Sequence, residues 1–229
     1  MQLIQLQGRR VLITQCEEFM GPALQRVFTA LGAIVIADPR GFGSDHDGSL
    51  AARMVADAGP VDVLIAHLAV PAPATAVGAV GDDEWRQVFQ SMVDPLPRLV
   101  RAVLPQMRAR GAGRVVVMGS ASALRGVKRT STYSAARGAQ LAWVRSAGVE
   151  LARENIQINA IAQNFVDNPT YFSAQVQADP AFQERLRREV PLGRLVTGDE
   201  DALFAAYLAS DAAACFVGQV FPVCGGWVA

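Results

Sequence analysis

The sequence predicts an α/β fold of the Rossmann-like type, a single three-layer domain over residues 1–229 built on a doubly wound parallel sheet. Short β-branched runs recur along the chain, at residues 11–14, 34–37, 63–66, 115–118 and 156–161. Segments with helical periodicity alternate with these runs, and each is long enough to return the chain for a parallel strand. With 229 residues and 51% hydrophobic content, the chain can bury one large core.

Two helical segments carry further expectations. Apolar residues from Trp85 to Met107 keep one face over several turns, and we expect one long helix there, kinked at Pro95 and Pro97. The helix after Tyr133 is rich in alanine and glycine as far as Gly148. Small side chains allow another helix to approach closely, which fits an oligomer interface and dense internal packing equally well.

Composition and charge exclude several classes of function. Basic and acidic residues both total 21, so the net charge of +0 provides no field to hold nucleic acid or an anionic membrane. Cys16, Cys215 and Cys224 are odd in number and far apart, which argues against disulfides and a zinc site. The chain begins without a signal-peptide core and holds no apolar run of about 20 residues, so we expect a cytoplasmic protein without a metal.

The turn after the first strand departs from a dinucleotide site. Such a turn is rich in glycine, because only glycine lets the backbone approach a pyrophosphate above a helix N-terminus. Residues 14–21 read Thr-Gln-Cys-Glu-Glu-Phe-Met-Gly. The chain resembles the short-chain reductases over nearly its whole length, and their turn reads Thr-Gly-x-x-x-Gly-x-Gly. Gln15 and Phe19 stand in place of two of those glycines, and Glu17 and Glu18 add charge that repels phosphate.

A second cofactor signature of that family is also replaced. Short-chain reductases carry Asn-Asn-Ala-Gly after the third strand, where this chain has Ala-His-Leu-Ala at residues 66–69. Asp38 ends the second strand, where a carboxylate would bind ribose, but without the glycines we interpret it as a relic or a structural cap. The sequence therefore predicts no nucleotide cofactor.

Three polar residues nevertheless keep the spacing of a proton-transfer site. Ser120 follows the fourth strand, at the carboxyl end where open α/β sheets bind ligands. Tyr133 and Arg137 are four residues apart on a helix, so the phenol and the guanidinium share one face. A fixed cation favours the phenolate, and an arginine supplies that charge without titrating.

With the filled turn, this set resembles the halohydrin dehalogenases, cofactor-free relatives of the short-chain reductases, from about Val11 to Trp227. The resemblance implies that Ser120 binds a haloalcohol hydroxyl, Tyr133 removes its proton and Arg137 promotes ionisation of the tyrosine. The alkoxide would displace halide to form an epoxide, and small anions such as halide, azide, cyanide or nitrite would reopen the ring. A homotetramer is also implied. Family positions for halide binding fall on Phe19, Gln163, Asn164, Phe165 and Val166, and those for the substrate pocket on Ser122, Leu124, Val127 and Phe172.

Three alternatives stay open at this point. The chain could be an NAD(P)-dependent oxidoreductase with a degenerate turn, a non-catalytic ligand sensor on the same scaffold, or an epoxide-opening or isomerising enzyme with an unrelated substrate. The natural substrate, the preferred halide and the enantioselectivity depend on cavity shape, and no motif reports them.

Overall fold

A six-stranded parallel sheet forms the centre of the computed structural model, which describes residues 4–228. The strands are β1 (Arg10–Thr14), β2 (Ile34–Asp38), β3 (Val63–His67), β4 (Gly113–Ser120), β5 (Ile156–Gln163) and β6 (Val220–Val223). Their order in the sheet is β2-β1-β3-β4-β5-β6. Each of the five predicted runs is a strand, extended by one to four residues, and the predicted fold class is confirmed.

Helices cover both faces of the sheet because the strands are apolar on both sides. In β4, Val115 and Val117 pack into one core, whereas Val116 and Met118 pack into the other. The first core lies against α2, α4 and α5, and the second against α1 and α8, which gives the three layers. The helices are α1 (Gly21–Ala30), α2 (Leu50–Ala58), α3 (Asp82–Met92), α4 (Pro95–Arg110), α5 (Ser131–Leu151), α6 (Ala174–Ala178), α7 (Pro180–Glu189) and α8 (Gly198–Ala209).

The long helix expected from Trp85 to Met107 is instead two helices, α3 and α4. Pro95 and Pro97 lie in the first turn of α4, where a missing N–H costs little. Two prolines two residues apart remove two donors that a continuous helix would use, so the chain breaks there and does not simply kink. Among the described residues, no helix has both the length and the apolar character needed to cross a bilayer.

The small residues of α5 serve internal packing at one end of the helix. A methyl group added at Gly148 would lie 2.5 Å from Gly218 Cα and 2.9 Å from the Ile158 carbonyl oxygen. At Gly138, ten residues earlier in the same helix, no neighbouring atom lies within 4 Å of the place that an added methyl group would take. Close approach of backbone to backbone therefore requires glycine at residue 148 and not at residue 138.

These two glycines give a matched test of the packing. We expect Gly148→Ala to lower the free energy of unfolding by about 1–3 kcal/mol, because the methyl group must displace main-chain atoms. Gly138→Ala should raise it by up to about 1 kcal/mol through helix propensity alone. Urea unfolding followed by circular dichroism measures both, and equal effects of the two substitutions would contradict this account.

Candidate active site

A cavity of about 370 Å³ lies at the carboxyl edge of the sheet, within the size range of small-molecule sites. Parallel strands bring their ends to this edge, and the register pairs His67 with Met118 and Ser120 with Gln163. The predicted site residues that line the cavity are Phe19, Ser120, Ser122, Val127, Tyr133, Arg137, Gln163, Asn164, Phe165, Val166 and Phe172. Leu124 is not among the lining residues; it follows a short 3-10 helix and is exposed, so its place in a substrate pocket stays a prediction.

Tyr133 and Arg137 form a direct pair on one face of α5. Arg137 Nε donates to Tyr133 Oη at 3.1 Å, and the guanidinium carbon lies 5.1 Å from the centre of the tyrosine ring. Both residues are buried, with relative exposures of 8% for Tyr133 and 4% for Arg137. The phenol oxygen therefore accepts from a charged donor, and such a hydrogen bond is stronger than one between neutral groups.

Main-chain and amide oxygens hold the guanidinium in place. Arg137 Nη1 donates to the carbonyl oxygens of Leu68 and Met118, each at 2.9 Å, and to Gln140 Oε1 at 3.0 Å. Gln140 in turn donates to the carbonyl oxygen of Met92 at 2.6 Å. No acidic side chain within residues 4–228 pairs with Arg137, so its positive charge is left for the phenol and for a ligand.

Ser120 lies at the end of β4 with its hydroxyl already oriented. Ser122 N donates to Ser120 Oγ at 3.2 Å, and the two serine hydroxyls are 3.0 Å apart. The hydroxyls of Ser120 and Tyr133 both belong to the cavity wall, and no hydrogen bond joins them in the described structure. A ligand oxygen between them could therefore accept from one hydroxyl and give its proton to the other.

The loop after β5 offers two free hydrogen-bond donors. Phe165 N donates to Asn164 Oδ1 at 2.9 Å, so this amide, which we expected to bind anion, is already satisfied. Asn164 Nδ2 and the Val166 N–H have no acceptor among residues 4–228. Phe165 has a φ of 51°, a left-handed conformation that turns the chain sharply at the cavity.

Gln163 connects the cavity to a buried carboxyl group. Its Nε2 donates to Asp201 Oδ2 on the first turn of α8, and Asp201 Oδ1 has no hydrogen-bond partner in the described structure. Asp201 is fully buried. Desolvation raises the pKa of this carboxyl to about 7, against the lowering effect of the Gln163 hydrogen bond.

Aromatic rings form most of the apolar wall. Phe172 lies between Phe165 and Phe182, with ring centres 6.2 Å and 5.5 Å away, and Phe165 meets the Trp227 ring edge-on at 6.0 Å. Tyr171 accepts from the Ala72 amide at 2.8 Å, and burial raises its pKa, with a further increase from Tyr133. Such walls exclude water, which strengthens the polar contacts inside the cavity.

The turn after β1 keeps a glycine-like backbone with bulky side chains. Gln15 and Phe19 have φ angles of 47° and 46°, in the left-handed region that favours glycine. The Gln15 amide accepts from Ala69 N at 2.7 Å and donates to Ala69 O at 3.2 Å, which ties the turn to the loop after β3. The Phe19 ring lies in the cavity wall, 5.4 Å from Tyr171.

This turn is a poor fit to a dinucleotide. The Gln15 side chain fills space beside the backbone that a pyrophosphate needs, and the exposed Glu17 and Glu18 would face its charge. Asp38 accepts from Arg40 N at 2.9 Å and from the Arg40 guanidinium at 2.6 Å, so it has the structural partners of a cap.

Among residues 4–228 no cluster of three or more His, Cys, Asp or Glu side chains could hold a metal ion.

His67 is a neutral group in the cavity wall. It is buried, and its Nδ1 lies 3.1 Å from the Gln15 carbonyl oxygen. A carbonyl only accepts, so Nδ1 carries the proton and Nε2 keeps its lone pair. Desolvation lowers the pKa of His67 to about 4, and the charge of Arg137 lowers it further against the hydrogen bond to Gln15.

Sequence reasoning missed several residues of this site. Gln140 follows Arg137 by three residues on the same helical face, a spacing that could have identified it. His67 ends a strand at the ligand-binding edge, which was also a usable signal. Asp201 is 38 residues from Gln163 in the sequence, and no local pattern joins them.

Comparison with known proteins identifies the family. A family model described as enoyl-(acyl carrier protein) reductase matches residues 2–228, and the chain belongs to this group of short-chain dehydrogenases/reductases. Among curated relatives, the 3-oxoacyl-(acyl-carrier-protein) reductase of Pseudomonas aeruginosa is 29% identical over 245 residues, which cover 96% of this chain and 98% of the relative.

Solved structures add a second group of similar proteins. A structure described as a dehalogenation enzyme is 33% identical, with a TM-score of 0.90, and the match covers 98% of this chain and 100% of that one. A halohydrin dehalogenase bound to ethyl (2S)-oxiran-2-ylacetate has a TM-score of 0.84 at 24% identity, covering 95% of this chain and 96% of that one. At that identity the second likeness shows the fold alone.

The buried histidine gives a test by pH. Because the pKa of His67 is lowered to about 4, the unfolded chain takes up a proton below about pH 6.5 that the folded chain refuses, and stability falls as pH drops through this window. His67→Asn keeps a donor for Gln15 and lacks the titration. We expect the unfolding free energy of the parent protein to fall by about 2 kcal/mol relative to the variant between about pH 7.5 and pH 5.

Urea unfolding of both proteins at the two pH values measures this difference. Groups that the two proteins share cancel in the comparison. If the difference in unfolding free energy between parent and variant is the same at both pH values, His67 takes up its proton in the folded state as readily as in the unfolded chain.

Proposed function

We propose that this protein is a cofactor-independent halohydrin dehalogenase, a carbon–halogen lyase that converts vicinal haloalcohols to epoxides with release of halide and a proton. The observation that carries the proposal is the hydrogen bond from buried Arg137 to the Tyr133 phenol oxygen, inside a cavity whose dinucleotide turn is filled by Gln15 and Phe19. The 33% identity to a structure described as a dehalogenation enzyme supports it.

Proton transfer begins the proposed reaction. The substrate hydroxyl binds between Ser120 Oγ and Tyr133 Oη, and the Tyr133 phenolate takes its proton. The Arg137 guanidinium stabilises the phenolate before the transfer and keeps its position afterwards, because two carbonyl oxygens and Gln140 hold it. The proton then leaves Tyr133 for solvent.

Halide displacement completes it. The alkoxide oxygen forms a bond to the neighbouring carbon, and the carbon–halogen bond breaks with its electron pair on the halide. Asn164 Nδ2 and the Val166 N–H are the donors available to the departing anion, and the Phe19 ring lines the same cavity. In reverse, a small anion bound at the same donors opens the epoxide while Tyr133 returns the proton.

An NAD(P)-dependent reductase is the second candidate. The curated relatives favour it, since the Pseudomonas aeruginosa reductase matches nearly the whole chain. Ser120 and Tyr133 would keep their roles in that reaction. The carboxylates and bulky side chains of the first turn weigh against it.

Two further expectations stay predictions. They are the cytoplasmic location, expected from the sequence, and the homotetramer, which the family resemblance implies.

Removal of the phenol tests the proposed base. We expect Tyr133→Phe to lower kcat for halide release from a vicinal chloroalcohol by at least about a hundredfold, because the general base is lost. Tyr207→Phe is the control: among residues 4–228 the Tyr207 hydroxyl donates only to the Ala212 carbonyl oxygen, and Tyr207 does not line the cavity. Ion-selective measurement of halide without added nucleotide gives the rates. Turnover by Tyr133→Phe at the parent rate would refute the assignment.

Nucleotide titration separates the two candidates. We expect NADH and NADPH fluorescence to stay unchanged on mixing with the protein at about millimolar cofactor, because Gln15, Glu17 and Glu18 oppose a pyrophosphate. The Pseudomonas aeruginosa reductase serves as the binding control. Saturable binding of either nucleotide, together with nucleotide oxidation on an oxoacyl substrate, would favour the reductase.

A further inference from the structure

The Gln163 side chain is shared between the cavity and a carboxyl group behind it. Gln163 lines the cavity, whereas its partner Asp201 is fully buried in α8 and does not. An amide presents an NH2 group on one side and an oxygen on the other. Because Nε2 is directed to Asp201 Oδ2, the Gln163 Oε1 is directed away from Asp201, and no described residue donates to it.

This orientation suits only an ionised Asp201. A carboxylate accepts hydrogen bonds and gives none, so it takes the NH2 group. A protonated Asp201 also has to place its O–H, and Oδ1 has no acceptor nearby. Among residues 4–228 the only polar side chain hydrogen-bonded to this carboxyl is that of Gln163, so the acid O–H finds an acceptor once the Gln163 amide rotates and offers Oε1.

We propose that Asp201 is a positioning residue for the anion site: the protonated acid turns the NH2 group of Gln163 toward the cavity, and the carboxylate turns the Gln163 oxygen toward it. The first state adds a donor beside Asn164 and Val166, and the second presents an acceptor to the anion. Anion binding is therefore coupled to uptake of one proton by Asp201, and loss of that proton favours halide release. This inference rests on the proposed function in requiring an anion site in the cavity.

Charged groups around Asp201 are matched elsewhere. Arg26 of α1 pairs with Asp199 of α8, and Arg194 of the loop before α8 pairs with Glu200 of α8. Arg114 of β4 pairs with Asp211. No salt bridge among the described residues involves Asp201. No described ion pair therefore stabilises its ionisation, and burial raises the pKa of Asp201 to about 7.

Other titratable groups of the cavity do not interfere in this range. Burial lowers the pKa of His67 to about 4 and raises that of Tyr171 above its usual value. Arginine side chains are not deprotonated in proteins. Tyr133 is the remaining titratable group of the wall, and replacing it with phenylalanine removes both its ionisation and catalysis.

Chloride binding to the Tyr133→Phe protein tests the proposal. Line broadening in chlorine NMR at constant ionic strength gives the dissociation constant between about pH 6 and pH 8. If only the protonated form binds, the constant rises about tenfold over this range. Adding Asp201→Asn, which keeps the shape and removes the charge, should leave a constant that does not change with pH.

Asp199→Asn in the same background is the matched control. Asp199 lies two residues before Asp201 on the exposed side of α8 and pairs with Arg26, so the tenfold rise should persist. A pH-dependent affinity retained in the Asp201→Asn protein would overturn the role of Asp201, as would a flat profile in Tyr133→Phe alone. Chloride that fails to bind at any pH would overturn the anion site, and this inference with it.

Discussion

The site depends on one buried cation that has no acidic partner among residues 4–228. Arg137 lies on α5, and the oxygens that hold it come from the ends of β3 and β4 and from Gln140. A guanidinium fixed by neutral oxygens keeps its net charge, which an ion pair would cancel. The same bonds make it a structural element, because its removal would leave the Leu68 and Met118 carbonyl oxygens buried without that donor.

The other residues of the cavity fall into a polar group and an apolar group around this charge. Serine and tyrosine hydroxyls supply its polar groups, and aromatic rings supply most of its apolar wall. An apolar wall lowers the local dielectric, which strengthens the attraction between the guanidinium and negative charge on a bound group. Asn164 and Val166, whose donors have no acceptor among residues 4–228, line the same cavity as the phenol, so these polar groups belong to one binding space.

Most of the fold and part of the site could be predicted from the sequence. Strands buried on both faces give continuous β-branched runs, so β1 to β5 stand out without any alignment. The α3–α4 break was missed because helical periodicity continues through Pro95 and Pro97. Ser122 and Val127 line the cavity and Leu124 does not, because spacing along a turn does not report which of its side chains reach a cavity. The Gln163–Asp201 contact joins distant segments, so only the tertiary structure reveals it.

The left-handed conformation of Gln15 and Phe19 separates the path of the main chain from the size of the side chains. Both residues have dihedral angles that favour glycine, and each bears the steric cost of its own Cβ atom. Because glycine also adopts these angles, the course of the loop does not require bulky side chains at either position. The width of the cavity beside this turn can therefore be altered by substitution of Phe19 without a change in the path of the loop.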